Sequence, residues 1–266
     1  MSEINLDGLV LKSKEIITQA GSMIEDAWHS KIVAHAKDGG DIVTDIDVKI
    51  EAFIREKLSI LTPDFGYIVE EGISDSTHEY NWSIDPIDGT KYFANKVPMF
   101  YTQISLLKKS IPIISLTYQP ISHQLFYARK EHGAYLNGTR LTVPKQSLPL
   151  EHTIIDIDSG DMRDDMHTWK NSVVSSISSS CYRLRMTGGY LGPTLVTGGV
   201  HAYVNIDLNN PPSIKNIVDL APHQLLIEEA GYAVKVLNQF PQSVMIWASP
   251  QIIEAIEGLL TQTSIS

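Results

Sequence analysis

The stretch Trp82-Ser83-Ile84-Asp85-Pro86-Ile87-Asp88-Gly89-Thr90 constrains this chain more than any other. Trp82 to Ile84 has the texture of a strand, and Pro86 stops that strand from simply continuing, because proline cannot donate to a central ladder. A chain that turns at Pro86 can aim Asp85 and Asp88 at one point. It also leaves the Ile87 carbonyl free as a hard oxygen ligand and lets Gly89 bring its N–H close to an anion. If Thr90 opens a short helix, the first amides add anion-binding donors and the hydroxyl can orient water. Such a turn suits a metal ion beside a phosphate, although an Asp-Gly pair taken alone reads more simply as a turn between strands.

Three further acidic places bear on that choice. Asp45-Ile46-Asp47 follows a Gly-rich segment, Glu70-Glu71 follows a strand ending at Val69, and Asp219 stands at the head of a predicted helix. Each alone has a structural explanation: a capping box with Thr44, exposed charges at a strand end, and an N-cap.

The surrounding pattern is mixed. Apolar residues from Leu6 to Ala27 recur at three- and four-residue steps, which predicts a long outer helix. A second helix is predicted over 45–61, ended by Pro63. Strands follow at 67–69, 82–84, 102–107, 113–118 and 124–128, several of them antiparallel, and Asn137-Gly138-Thr139 reads as a tight turn. After Pro149 come a strand over 153–157, a polar helix over 162–175 and a strand over 202–206. A helix from Asp219 to Ala230 is stopped by Gly231, and a last helix opens at Ser249-Pro250. A weak boundary near 145–150 divides an N-terminal α+β part, 1–147, from a C-terminal α/β part, 148–266, that completes one catalytic unit.

Composition excludes several function classes. Lys and Arg total 21 against 31 Asp and Glu, giving a net charge of −10 with no long basic run, so direct nucleic-acid or anionic-membrane binding is not expected. The single cysteine, Cys181, excludes an intrachain disulfide and a multi-thiolate zinc site. No apolar run approaches the roughly 18 residues of a membrane span. Together with an acidic N-terminus, this makes the cytoplasm the expected location. The histidines show no pair at ligand spacing beside a carboxylate motif and read as surface or core residues.

In company, these motifs resemble the inositol monophosphatase family of magnesium-dependent, lithium-sensitive phosphatases. Val43-Thr44-Asp45-Ile46-Asp47, Glu70-Glu71, Asp85 through Thr90, Gly133-Ala134-Tyr135-Leu136-Asn137-Gly138, and Asp219 through Gly231 occur in family order along nearly the whole chain. The resemblance implies a layered α-β-α-β-α sandwich of the inositol monophosphatase and fructose-1,6-bisphosphatase type. It implies two or three Mg²⁺ ions held by Glu70, Asp85, the Ile87 carbonyl, Asp88 and Asp219. Asp47 and Thr90 match the pair that positions the attacking water, with Glu70 beside them in the catalytic set. Ile87, Asp88, Gly89, Thr90, Thr187, Gly188 and Asp219 match positions that meet the substrate. The implied activity is hydrolysis of a small phosphorylated alcohol by water, inositol 1-phosphate first, and a homodimer is expected.

Departures fall in the substrate wall. Met186-Thr187-Gly188 stands where the family usually has Gly, then Ser or Thr, then Ala; Val218-Asp219 replaces Trp-Asp; His201 replaces an Asp; and Asn205 aligns near an acidic residue that often touches the inositol ring. The stretch 207–217 also looks longer than usual. Histidinol phosphate, 3′-phosphoadenosine 5′-phosphate and fructose 1,6-bisphosphate are therefore alternative substrates. A haloacid-dehalogenase-type phosphatase is disfavoured, because Asp45-Ile46-Asp47 lacks the following Gly-Thr. A non-enzymatic partner-binding scaffold is disfavoured by the complete carboxylate set. Asp156-Ile157-Asp158-Ser159-Gly160-Asp161 lacks calcium-loop spacing and reads as an ordinary polar loop.

Overall fold

The computed structural model describes residues 4–37, 42–143, 148–187, 191–208 and 214–263. The first half runs through α1 (Leu6–Trp28), β1 (Ala34–Ala36), β2 (Ile42–Thr44), α2 (Asp45–Leu61), β3 (Gly66–Val69) and β4 (Tyr80–Asp88). It continues through α3 (Thr90–Ala94), β5 (Tyr101–Lys108), β6 (Ile111–Gln119), β7 (Gln124–Arg129), β8 (Gly133–Leu136) and β9 (Thr139–Leu141). The second half adds β10 (Ile154–Asp158), α4 (His167–Ser180), β11 (Arg183–Arg185), α5 (Leu191–Val196) and β12 (Ala202–Leu208). It ends with α6 (Ile214–Ala230), β13 (Ala233–Leu237), β14 (Ser243–Ala248) and α7 (Pro250–Thr263).

Strands β3 to β9 lie in sequence order in a seven-stranded sheet, with only the β3–β4 pair parallel. The second sheet has the order β11-β10-β12-β14-β13, in which β10 runs parallel to both its neighbours.

Side-chain alternation stacks these sheets into layers. Trp82, Ile84, Ile104, Leu106, Ile114 and Leu116 face Ile17, Ala20 and Ile24 of α1 and Ile50, Ile54 and Leu58 of α2. Gly21 allows the close approach of α1, since a Cβ there would lie 2.2 Å from the Tyr118 ring. On the opposite side, Tyr101, Phe126, Ala128 and Ala134 meet Leu195, Leu225, Leu226 and Ile227 of α5 and α6, together with Tyr203 and Trp247 of the second sheet. The neighbouring residues on those strands, Val204, Ile206 and Ile246, point the other way onto α4 and α7. The result is α-β-α-β-α, the expected architecture, with α5 and α6 as the middle layer.

Several local expectations change. The polar helix begins at His167, not near Met162, because Asp161 and Asp164 turn the preceding segment by accepting backbone N–H groups from Arg163 and Met166. Helix α6 begins at Ile214, so Asp219 lies inside it and is not its N-cap. The 137–139 turn is the β8–β9 hairpin, with Asn137 and Gly138 both at positive φ.

Candidate active site

Pro86 does not end β4. Asp85 pairs with Gln103 and Asp88 with Tyr101, so three steps on β4 match two on β5 and the strand passes through a bulge. In a regular strand, residues three apart face opposite ways. The extra residue reverses that parity: Ile84 and Ile87 both enter the α1/α2 core, and Asp85 and Asp88 are left to share the other face. Gly89 then adopts φ +88°, and a Cβ there would lie 2.7 Å from the Met99 carbonyl, so the residue just before α3 has to be glycine.

Thr90 is the first residue of α3, and its hydroxyl lies 2.9 Å from the Ile87 carbonyl and 3.2 Å from Asp47 Oδ1. Asp47 is fully buried at the third position of α2, where it forms the predicted capping box with Thr44. Its Oδ2 accepts the Thr44 N–H at 2.8 Å and the Thr44 hydroxyl. Burial raises the Asp47 pKa, and the Thr44 and Thr90 hydrogen bonds oppose that rise.

Glu70 follows β3 in a turn that Glu51 of α2 anchors by accepting the Glu71 N–H at 2.8 Å. Lys37 pairs with Glu71 at 2.5 Å and stands 3.8 Å from Glu70. Asp85 is 2% exposed, and its Oδ1 has no hydrogen-bond partner. Its pKa is held well above the ordinary carboxylate range, first by burial and then by the charges of Glu70, Asp88 and Asp219. The Glu70 carboxyl beside it adds to that rise as a hydrogen-bonding neighbour. The fold thus brings Glu70, Asp88 and Asp219 into electrostatic reach of one buried, unsatisfied oxygen. Among the described residues, no three His, Cys, Asp or Glu groups are already arranged to hold a metal ion. The donor chemistry nevertheless fits a hard divalent cation, which would neutralise the mutual repulsion and supply the missing partner of Asp85.

The other wall comes from the second sheet. Thr187 donates its N–H and hydroxyl to buried Asp156 at 3.3 and 2.7 Å, and its carbonyl accepts from the Tyr92 hydroxyl of α3. Thr187 is thereby tied to the Thr90 helix, whereas Gly188 lies outside the described residues. Asn205 uses both ends of its amide internally: Oδ1 accepts the Asp207 N–H at 2.8 Å, and Nδ2 donates to the Tyr203 hydroxyl at 3.2 Å. The 156–161 segment is no ordinary polar loop, because Asp156 is buried and burial raises the pKa of Asp158. Two site neighbours escaped the sequence reading. Gln103 donates to Asp88 Oδ2 at 2.8 Å, and His223, read as a plain core or surface histidine, places Nε2 3.5 Å from the same oxygen. The spacing of Asp219 and His223, one helical turn apart, was the available signal.

This architecture and these motifs belong to a known class. Residues 8–261 match the inositol monophosphatase family, and the chain is a member of that family of metal-dependent phosphatases. The inositol monophosphatase of Dictyostelium discoideum is 27% identical over 281 residues, covering 100% of both chains. Inositol monophosphatase 2 of Saccharomyces cerevisiae is 33% identical over 152 residues, covering 52% of each, so the chain spans about half the length of that relative. The crystal structure of the extragenic suppressor protein suhB from Bartonella henselae superposes with a TM-score of 0.84 at 22% identity, over 95% of this chain and 98% of that one, which shows the shared fold.

Proposed function

We propose that the protein is a Mg²⁺-dependent phosphomonoesterase acting on a small phosphorylated alcohol, with inositol 1-phosphate the leading substrate. The observation that carries this reading is Asp85: a buried carboxylate oxygen without a partner, faced by three further carboxylates and flanked by the Asp47–Thr90 pair. Glu70, Asp85, the Ile87 carbonyl, Asp88 and Asp219 would hold two or three ions. Bound there, Mg²⁺ supplies Lewis acidity to the phosphate and lowers the pKa of a coordinated water.

The chain's own residues do the rest. The Thr90 hydroxyl donates its one hydrogen bond to ionised Asp47, so its lone pairs can accept from a water. As the water gives a proton to the Thr90 oxygen, the hydroxyl's own proton passes to Asp47, which ends singly protonated. Gly89, free of a Cβ, lets the start of α3 approach a phosphate oxygen, and Asp219 and Thr187 bring the 148–266 part to the same site. The reading extends to inhibition by Li⁺, a homodimer and a cytoplasmic location. Among the described residues, no helix is long and apolar enough to cross a membrane.

Asn205 favours a second choice of alcohol. With its amide committed to Asp207 and Tyr203, it offers a ring hydroxyl no free carboxylate, which moves histidinol phosphate and 3′-phosphoadenosine 5′-phosphate forward. Phosphate release from these compounds, inositol 1-phosphate and fructose 1,6-bisphosphate should require Mg²⁺ and fall with Li⁺. Full activity in excess EDTA, or no release from any phosphomonoester, would overturn the proposal, and the second result would favour a partner-binding scaffold.

A further inference from the structure

His223 is 1% exposed, and it lies on the face of α6 that carries Asp219 one turn earlier. Its ring is pressed against α5, where a Cβ on Gly192 would come within 2.6 Å of Nδ1, so only glycine leaves room for it. Nδ1 is buried there without a hydrogen-bond partner, while Nε2 stands 3.5 Å from Asp88 Oδ2. That approach is favourable only with a ring proton on Nε2, and Nδ1 lacks a partner whether it is a donor or an acceptor. A leucine in the same space would carry no such penalty. An imidazole kept at a cost in unsatisfied polarity points to work done by its other nitrogen.

Asp88 Oδ2 is also the oxygen that receives the Gln103 amide at 2.8 Å, and the Thr117 hydroxyl fixes which way that amide faces by donating to Gln103 Oε1 at 3.2 Å. Gln103 belongs to the seven-stranded sheet and His223 to the middle helical layer, so one oxygen is held from two separate layers. We infer that His223 is a positioning residue for Asp88: together with Gln103 it occupies Oδ2 and reserves Oδ1 for the cation. The inference rests on the reading of Asp88 as a metal ligand given above. It assigns to His223 the task of fixing the carboxylate's rotation before the ion arrives, which lowers the cost of ordering the site on binding.

The test is calorimetric titration of the metal-free protein with Mg²⁺ alone, without substrate, in wild type and in His223→Gln, His223→Asn, His223→Leu and Asp88→Asn. The Gln amide nitrogen can reach the place of Nε2, whereas the Asn nitrogen falls at that of Nδ1. Leu and Asn should weaken Mg²⁺ binding by about ten- to a hundredfold, the scale of partners that orient metal ligands, and Gln should restore it. Wild-type affinity in His223→Leu and His223→Asn, with Asp88→Asn weakened, would overturn the role of His223 alone. Unchanged affinity in Asp88→Asn would overturn the ligand assignment and the inference with it. If His223→Leu does not fold, the contrast between Gln and Asn decides, and equal affinities for those two variants would refute positioning.

Discussion

At the β4 bulge buried Asp85 faces other carboxylates, whereas at the ends of β10 and β12 the acidic groups face donors. Asp85 keeps an oxygen with no partner and is opposed by Glu70, Asp88 and Asp219. In the second cluster, Asp156 accepts from Thr187 and lies 3.6 Å from Arg185. Asp158 accepts the Gly160 N–H at 3.0 Å, and Asp207 pairs at 2.6 Å with the ammonium of Lys170, whose side chain is 0% exposed. Burial alone would lower the Lys170 pKa, but the hydrogen bonds to Asp164 and Asp207 outweigh it and keep the group charged. Both clusters are acidic and each holds a buried carboxylate, Asp85 in one and Asp156 in the other, so neither property marks a site. What separates them is one oxygen: Asp156 has its donors, whereas Asp85 keeps a buried oxygen that a cation would satisfy.

The largest test of that contrast is Asp88→Asn. The substitution is nearly isosteric but removes a charge from the cluster around Asp85. Turnover at saturating Mg²⁺ should fall at least about a thousandfold, ~4 kcal/mol of transition-state stabilisation. Without metal the mutant should melt no lower than wild type, because a charge facing Asp85 is gone. The sign can be checked against pH. The folded chain holds the Asp85 proton to higher pH than the unfolded chain does, so metal-free stability should fall as pH rises through that range, with a shallower slope in the mutant. Near-normal turnover with a lower melting temperature would make the bulge an ordinary acidic turn.

Lys170→Met probes the paired cluster. Removing one partner of a buried ion pair should cost about 3 kcal/mol, the lower end of the usual range, because Asp164 and Asp207 can rehydrate. Those carboxylates are 33% and 36% exposed. The dependence of melting temperature on Mg²⁺ should stay as in wild type. A loss of Mg²⁺ response in this variant would show that the two clusters are one system.

What the amino-acid sequence reveals of this arrangement follows the range of the interactions. The Thr44–Asp47 box lies within three residues and was legible, as were the long amphipathic helices and the Asn137-Gly138 turn. Pro86 was correctly read as an interruption, but a bulge and a strand end look alike until the β5 register is known, and only the register shows why Asp85 and Asp88 share a face. The start of α6 is ambiguous in the sequence because Asp219 resembles a cap as much as Ser213, the residue before Ile214, does. Gln103 and His223 meet Asp88 across 15 and 135 residues, respectively, and such contacts leave no local periodicity to read. The second sheet was only partly legible for the same reason, since β10 gains β11 and β12 through crossovers.

The smallest expected effect falls on a motif that both clusters share: a threonine gripping a buried aspartate through its N–H and its hydroxyl. Thr44 holds Asp47 in this way and Thr187 holds Asp156, but only Asp47 also meets a hydroxyl, that of Thr90, in the proposed reaction site. Thr44→Val preserves shape and removes one of the hydrogen bonds that counter the burial of Asp47. Stability should drop by about 1 kcal/mol, the usual loss for a helix cap. The Asp47 pKa should rise further, since its charged form has lost a donor. A base works only when ionised, so activity falls as pH drops through its pKa, and raising that pKa moves the fall to higher pH. The acid limb of kcat/KM should therefore shift upward in Thr44→Val while activity recovers at alkaline pH. Thr187→Val should weaken the substrate wall and leave the acid limb in place. A limb that moves with Thr187 and not with Thr44 would put the base in the paired cluster and reverse the assignment of the two.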